Sequence, residues 1–274
     1  MSAVEAARAT FNELSESVNG QTAEKLQMLR EQFEAALEEK AADGLAESAH
    51  FVSVVAHELR TPMTSMRGYS DMMAKGVTGE LTDMQAQFID IIRNNVVHMI
   101  ELVANVNDMS KLRAGKLRLD SKMTTFSQLV IVPQKQMNPL AEEKGIKLGW
   151  DVPSGLPILK VDGARISQAI INLIRNAIQY TPEGGEVSVS AEKTEDGRLK
   201  VTVSDTGIGM SAEEVAQLGE LFFRADREIV QAQKGHGLGY PIAKGLIEAH
   251  GGEVHVEAGE GTGTAVSFFL PPMS

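Results

Sequence analysis

Hydrophobic positions repeat with a helical period through the first two-fifths of the chain and with a mixed period thereafter. Through residues 1–48, Val4, Ala7, Phe11, Leu14 and Val18 step by three and four; Thr22 and Leu26 follow at four, and Leu29, Phe33 and Ala36 resume the alternation. A heptad seam with one four-residue stutter predicts a coiled-coil helix, with Gly20 as its weak point. Phe51, Val54, Val55, Leu59, Met63, Met66 and Met73 predict a helix over 50–75. KGVTGELTD (Lys75–Asp83) carries two glycines and reads as a loop. Met84, Phe88, Ile91, Asn95, Met99, Leu102, Val106 and Met109 predict another long helix, with Gly115 suited to its C-terminal cap. Two antiparallel helices bury too little to stand alone. Pairing with a second copy would complete a four-helix bundle, so a homodimer is expected.

Beyond about residue 118 the texture becomes α+β. Spaced apolars predict a helix over about 128–144, IKLGWDV reads as a strand, and a helix is expected over 163–180. EVSVSAE and LKVTVSD alternate as a hairpin-like pair; GGEVHVEAGEGTGTAVSFFLP gives two more strands around a Gly-rich turn. The expected fold is multidomain, α and α+β: a coiled-coil signalling helix (1–48), a dimeric helical hairpin (49–118) and an α/β sandwich covered by helices on one face (119–274).

Charge and composition narrow the function. Of 274 residues, 26 are Lys or Arg and 37 Asp or Glu, a net charge of -11, which disfavours a nucleic-acid partner. With no cysteine, disulfides, thiolate metal sites and a cysteine nucleophile are excluded. No apolar run is long enough to span a bilayer, and the opening MSAVEAARATFNELSE does not read as a signal peptide. The chain is expected to be cytoplasmic, or the cytoplasmic part of a longer, membrane-associated sensor.

Three stretches of the C-terminal unit carry candidate chemistry. In NLIRNAIQYTP, Asn172 and Asn176 share one helical face. Their carboxamides suit either magnesium ligation or structural hydrogen bonds, and spacing alone does not decide. SDTGIGM places Asp205 at a strand end, able to accept from an exocyclic amine such as that of adenine; Gly207 and Gly209 permit close backbone approach. In KGHGLGYPIAKG, Gly235, Gly237 and Gly239 open a helix whose first amides suit phosphate, and Pro241 fits the first turn. Neither the Walker nor the Rossmann pattern is matched. Between the last two boxes lies a polar stretch of about 25 residues with Phe222–Phe223, Arg224, Arg227 and Lys234, read as a lid whose cations meet a polyphosphate.

Asn-x3-Asn, Asp-x-Gly-x-Gly, a lid and Gly-x-Gly-x-Gly, in that order, resemble the ATP-binding domain shared by sensor histidine kinases, gyrase-type ATPases, Hsp90-type chaperones and MutL-type repair proteins. Upstream, FVSVVAHELRTPMTSMRGYSDMM resembles the phosphoacceptor box of bacterial sensor histidine kinases, through Phe51 and His57 to Pro62, with Met63 for the usual leucine. The resemblance covers about residues 48–272. It implies autophosphorylation of His57 from Mg-ATP, with Glu58 as general base, Asn176 on the magnesium and Asp205 on the adenine. Asn172, Tyr180, Gly207, Gly209, Arg224, Lys234, Gly235, Gly237, Leu238 and Gly239 would complete the nucleotide site. The phosphoryl group would pass to an aspartate of a separate response regulator receiver domain, and Thr61 would position water for regulator dephosphorylation. Neutral imidazole is a competent nucleophile near neutral pH, and Pro62 is expected to disturb the helix at the carbonyl of Glu58. Gln179, His236 and Tyr240–Pro241 depart from the family pattern and bear on nucleotide affinity and lid behaviour. The rival readings are a non-catalytic or phosphatase-biased nucleotide-responsive module and a gyrase- or chaperone-like ATPase.

Overall fold

The computed structural model describes residues 45–231, 233 and 236–273. The coiled coil predicted for 1–48 lies outside them, apart from its last four residues. The chain divides between residues 117 and 118 into two compact units.

The first unit is a helical hairpin. Helix α1 (Leu45–Ala74) runs without interruption through Pro62, and α2 (Asp83–Arg113) returns beside it. Pro62 removes one backbone donor but does not end the helix, so the expected disturbance is no break. Around it the hydroxyls of Thr61, Thr64 and Ser65 donate to the carbonyls four residues back, at 3.5, 2.8 and 3.3 Å. Thr82 begins α2 with a reciprocal cap: its hydroxyl accepts from the Gln85 N–H while its own N–H donates to Gln85 Oε1. Gly115 ends α2 in the left-handed region (φ +62°), with the Lys116 N–H donating to the Lys111 carbonyl. Arg93 Nε donates to Asp71 Oδ1 at 2.8 Å and ties the helices in register.

The seam between the helices keeps Met63 of the predicted stripe and otherwise departs from it. Val52, Ala56, Met63 and Ser70 of α1 and Ile89 and Val96 of α2 are buried. Val54, Met84, Phe88 and Ile91, from the predicted stripes, stay exposed. Helix α2 therefore carries two apolar stripes: one faces α1, and the N-terminal part of the expected one, Met84, Phe88 and Ile91, has no cover within this hairpin.

The second unit begins with strand β1 (Lys122–Thr124), paired antiparallel with β3 (Leu159–Val161); this small sheet was not expected from the sequence. Helices α3 (Phe126–Leu129) and α4 (Ile131–Glu143) occupy the region predicted as one helix. The main sheet holds β2 (Lys147–Asp151), β4 (Glu186–Lys193), β5 (Leu199–Asp205), β6 (Glu253–Gly259) and β7 (Gly263–Leu270) in the order β2-β4-β5-β7-β6. The β2–β4 pair is parallel and the others antiparallel. Helix α5 (Gly163–Tyr180) starts on Asp162, whose Oδ1 accepts from the N–H groups of Ala164 and Arg165. It packs against α4 and against α8 (Gly239–Ala249). Short helices α6 (Ala212–Gln217) and α7 (Glu228–Gln231) lie between β5 and α8.

Alternation on the strands builds the core. Val187, Val189 and Ala191 of β4, Leu199, Val201 and Val203 of β5, and Phe268 and Leu270 of β7 are buried. Ile166, Ile170, Leu173, Ile174 and Ile178 recur at helical spacing on the buried face of α5. Among the described residues no helix is long and apolar enough to cross a membrane.

Trp150, the single tryptophan, sits on β2 and reports unfolding of this unit. Ile174→Ala, at a fully buried position, should lower its stability by about 2–5 kcal/mol in urea titrations followed by Trp150 fluorescence. Ile131→Ala, at a position 59% exposed, should stay within about 0.5 kcal/mol.

Candidate functional site

On the hairpin, His57 and Glu58 occupy adjacent positions of α1 with side chains 74% and 75% exposed. His57 Nδ1 lies 3.5 Å from Glu58 Oε1, near enough for the carboxylate to bias where the ring proton resides. Thr61, one turn on, is exposed, and its hydroxyl reaches the His57 carbonyl only at 3.5 Å. All three present their groups to solvent.

The second unit holds a cavity of about 110 Å³ between the C-terminal half of α5, the ends of β5 and β7, and the 206–230 segment. Asn176, Tyr180, Asp205, Gly209 and Arg224, five of the predicted site residues, line it.

Strand register positions Asp205. In the antiparallel β5–β7 pair Asp205 stands opposite Thr264, and its Oδ1 accepts the N–H groups of Gly207 at 2.8 Å and Thr264 at 3.2 Å. Oδ2 takes no hydrogen bond from the described residues. Burial pushes the Asp205 carboxyl above the ordinary carboxylate range, against the pull of the two amide bonds. One carboxylate oxygen is fixed by backbone and the other remains an acceptor.

Two glycines let the chain close around this aspartate. Gly209 has φ +61°, and a Cβ there would fall 1.8 Å from the Gly259 carbonyl oxygen. Gly263 has φ +85°, and its Cβ would fall 1.9 Å from the Asp205 carbonyl oxygen. No side chain fits either place. Gly207 passes close to α5: a Cβ would meet the Tyr180 carbonyl oxygen at 2.5 Å. The Ile208 N–H donates to that same carbonyl at 3.2 Å, so loop 205–210 is fastened to the end of α5.

Asn172 and Asn176 separate in role. Asn176 reaches the cavity, and a Cβ at Gly239 would stand 3.1 Å from its Oδ1. Asn172, one turn earlier, is buried with its Nδ2 unpartnered, an arrangement that calls for a water or ligand. Gly237 (φ +65°) packs on the backbone of Phe222 and Phe223, joining the glycine box to the start of the lid. Leu238 is buried at 3% exposure and makes no side-chain cap on α8, so what it can offer a ligand is backbone. Lys234 and Gly235 lie outside the described residues.

The lid arginines hold protein as well as lining the cavity. The guanidinium of Arg224 donates through Nη2 to the carbonyls of Val230 and, at 2.7 Å, Gln233. It also faces Tyr180, whose phenol burial pushes up and Arg224 partly restores. Arg227 donates to the Gly209 carbonyl at 2.7 Å and approaches Glu214 Oε1 to 2.9 Å. The other Glu214 oxygen accepts the Ser211 N–H and caps α6. These arginines, expected to meet a polyphosphate, both hold protein groups of the 206–233 segment.

Sequence reading missed Gly263, Thr264, Val266 and Glu214. A Gly-rich turn was visible, but the pairing that brings Thr264 to Asp205 is a matter of register across 59 residues.

Two domain families match the chain: the His Kinase A (phospho-acceptor) domain over residues 47–115 and the histidine kinase-, DNA gyrase B- and HSP90-like ATPase over 161–274. A sensor-like histidine kinase of Rhizobium meliloti, itself uncharacterized, is 36% identical over 232 residues, 82% of this chain and 44% of the relative. Histidine protein kinase DivJ of Caulobacter vibrioides is 33% identical, over 81% of this chain and 37% of its own. The chain spans less than half the length of these curated relatives. Among solved structures, full-length ShkA in complex with AMPPNP matches with TM-score 0.68 and 31% identity, over 81% of this chain and 45% of that one. Histidine kinase ThkA in complex with the response regulator TrrA shares the fold at TM-score 0.56 and 23% identity, over 89% of this chain and 67% of that one.

Asp205 gives a pH signature. Its folded pKa is raised, so between the unfolded and folded values the native state binds the additional proton. Stability therefore falls as pH rises from about 4 through the raised value. Asp205→Asn should remove that segment of the stability–pH curve in urea titrations from pH 4 to 7.

Proposed function

The chain belongs to the sensor histidine kinases, and on that premise we propose that it autophosphorylates His57 from ATP and passes the phosphoryl group to an aspartate of a separate response regulator. The observation that carries the reading is the solvent-facing His57–Glu58 pair, 3.5 Å apart, within the segment that matches a phosphoacceptor domain.

The geometry gives each group a task. The Glu58 carboxylate beside Nδ1 favours the ring tautomer protonated there and leaves the Nε2 lone pair free. Nε2 attacks the γ-phosphorus, the new N–P bond forming as the bond to the β-phosphate bridge breaks. ADP leaves, and the Nδ1 proton passes to Glu58. Such a transfer asks mainly for alignment and charge neutralisation.

Nucleotide recognition falls to the second unit. Asp205 Oδ2 would accept from the adenine amino group, Tyr180 would flank the base, and Gly207 and Gly209 would admit it. Asn172, Arg224, Gly237, Leu238 and Gly239 would complete the nucleotide site, together with Lys234 and Gly235, which are assigned from the sequence alone. Magnesium fits the donors present: Asn176 offers a neutral carboxamide oxygen at the cavity wall, beside the space that Gly239 keeps open. Magnesium takes few protein oxygens and relies on phosphates and water; when bound, it would neutralise phosphate charge.

Residues 49–118 serve as dimerisation and phosphotransfer domain, 119–274 as catalytic domain and 1–48 as the signalling helix. The uncovered stripe of Met84, Phe88 and Ile91 supports a homodimer, since a second hairpin would bury it. Thr61, exposed one turn beyond His57, orients water for dephosphorylation of the regulator as a second activity.

Incubation with γ-labelled ATP and magnesium should give an acid-labile, base-stable phosphoprotein. His57→Ala should abolish the label, and Glu58→Gln, an exposed change, should slow labelling by roughly 10²-fold or more. Labelling that persists in His57→Ala would refute the assignment.

A further inference from the structure

We infer that Lys144 is a positioning residue for the nucleotide pocket: its ammonium holds the last turn of α5, and through it Tyr180 and loop 205–210, in the binding arrangement. The inference rests on the nucleotide reading of that cavity.

The last turn of a helix leaves four carbonyls without intrahelical partners. At the end of α5, capped by Thr181, three of these carbonyls have named donors, and the Ala177 carbonyl just before them keeps its intrahelical bond. The Ala177 carbonyl takes the Thr181 N–H at 3.1 Å and the Thr181 hydroxyl at 2.7 Å. Those of Ile178 and Gln179 take Lys144 Nζ, at 2.7 and 2.6 Å. The Tyr180 carbonyl takes the Ile208 N–H at 3.2 Å. Lys144 thus serves the first two of the three, and its charge lies at the negative end of the helix dipole. The next carbonyl along carries the loop that ends the pocket.

Lys144 does not line the cavity, so its effect on a ligand is indirect. Its own backbone is held: it caps α4, and the adjoining Gly145 carbonyl accepts the Gly184 N–H at 3.0 Å. The ammonium therefore reaches α5 from a fixed base. Burial lowers the pKa of Lys144, in keeping with a group withdrawn from water to serve these carbonyls. Without it, two adjacent carbonyls lose charge-assisted donors, and the turn bearing Tyr180 is free to shift relative to loop 205–210.

The test is ADP binding by calorimetry on the full chain, with amide exchange as a second readout. Lys144→Met should raise the Kd for ADP by roughly three- to tenfold, and Lys144→Arg, which restores a charged donor, should recover most of it. In Lys144→Met the Ile208 amide should exchange faster while Val203, in the middle of the sheet, keeps its protection; a general loss of stability would speed both. Should Lys144→Met not fold, Lys144→Gln, with an uncharged donor pair, should show the same direction with a smaller change. An unchanged Kd in the folded variant, or uniform acceleration of exchange, overturns the inference alone. Failure of the unsubstituted protein to bind ADP overturns the nucleotide reading and this inference together.

Discussion

The register between β5 and β7 governs the second unit. It sets Asp205 opposite Thr264, so that one carboxylate oxygen receives two backbone N–H groups and the other is left as an acceptor. The approach is so close that Gly263 admits no side chain. A one-residue slip would turn every side chain of the strand to the opposite face and withdraw Thr264 from Asp205. The buried alternation of Val201, Val203, Phe268 and Leu270 forbids that slip, so the hydrophobic core and the geometry around Asp205 are fixed by the same pairing.

From that strand end the constraint spreads through backbone contacts. The Tyr180 carbonyl holds Ile208, and Arg227 holds Gly209 while sharing Glu214 with the cap of α6. The lid is joined to the pocket at one end by these bonds and at the other by the packing of Gly237 on Phe222 and Phe223. Nucleotide phosphates would enter an environment where the arginines are already engaged.

Much of this was legible in the sequence, for identifiable reasons. The α5 helix, the β4–β5 pair and the β6–β7 pair follow from strong local periodicity and clear turn residues. Asp205, Gly207, Gly209 and Asn176 stood out because polar or glycine residues interrupt apolar segments there. The small β1–β3 sheet was illegible because three-residue strands carry almost no period. On α2 the pattern held two overlapping apolar stripes; of the predicted one, Met84, Phe88 and Ile91 stay exposed while Met99, Leu102, Val106 and Met109 are partly covered. Pro62 reads as a disturbance within a continuing helix, and a helix already 17 residues long at that point absorbs the loss of one hydrogen bond. Thr264 and Glu214 escaped notice because their roles depend on contacts distant in sequence.

Base recognition by the free oxygen of Asp205 is tested most directly by comparing the affinities of ADP and inosine diphosphate, which carries a carbonyl where adenine carries its amino group. The unsubstituted protein should prefer ADP by about tenfold or more, and Asp205→Asn should erase that preference. Equal affinity for the two in the unsubstituted protein, or a preference that survives Asp205→Asn, would contradict the assignment.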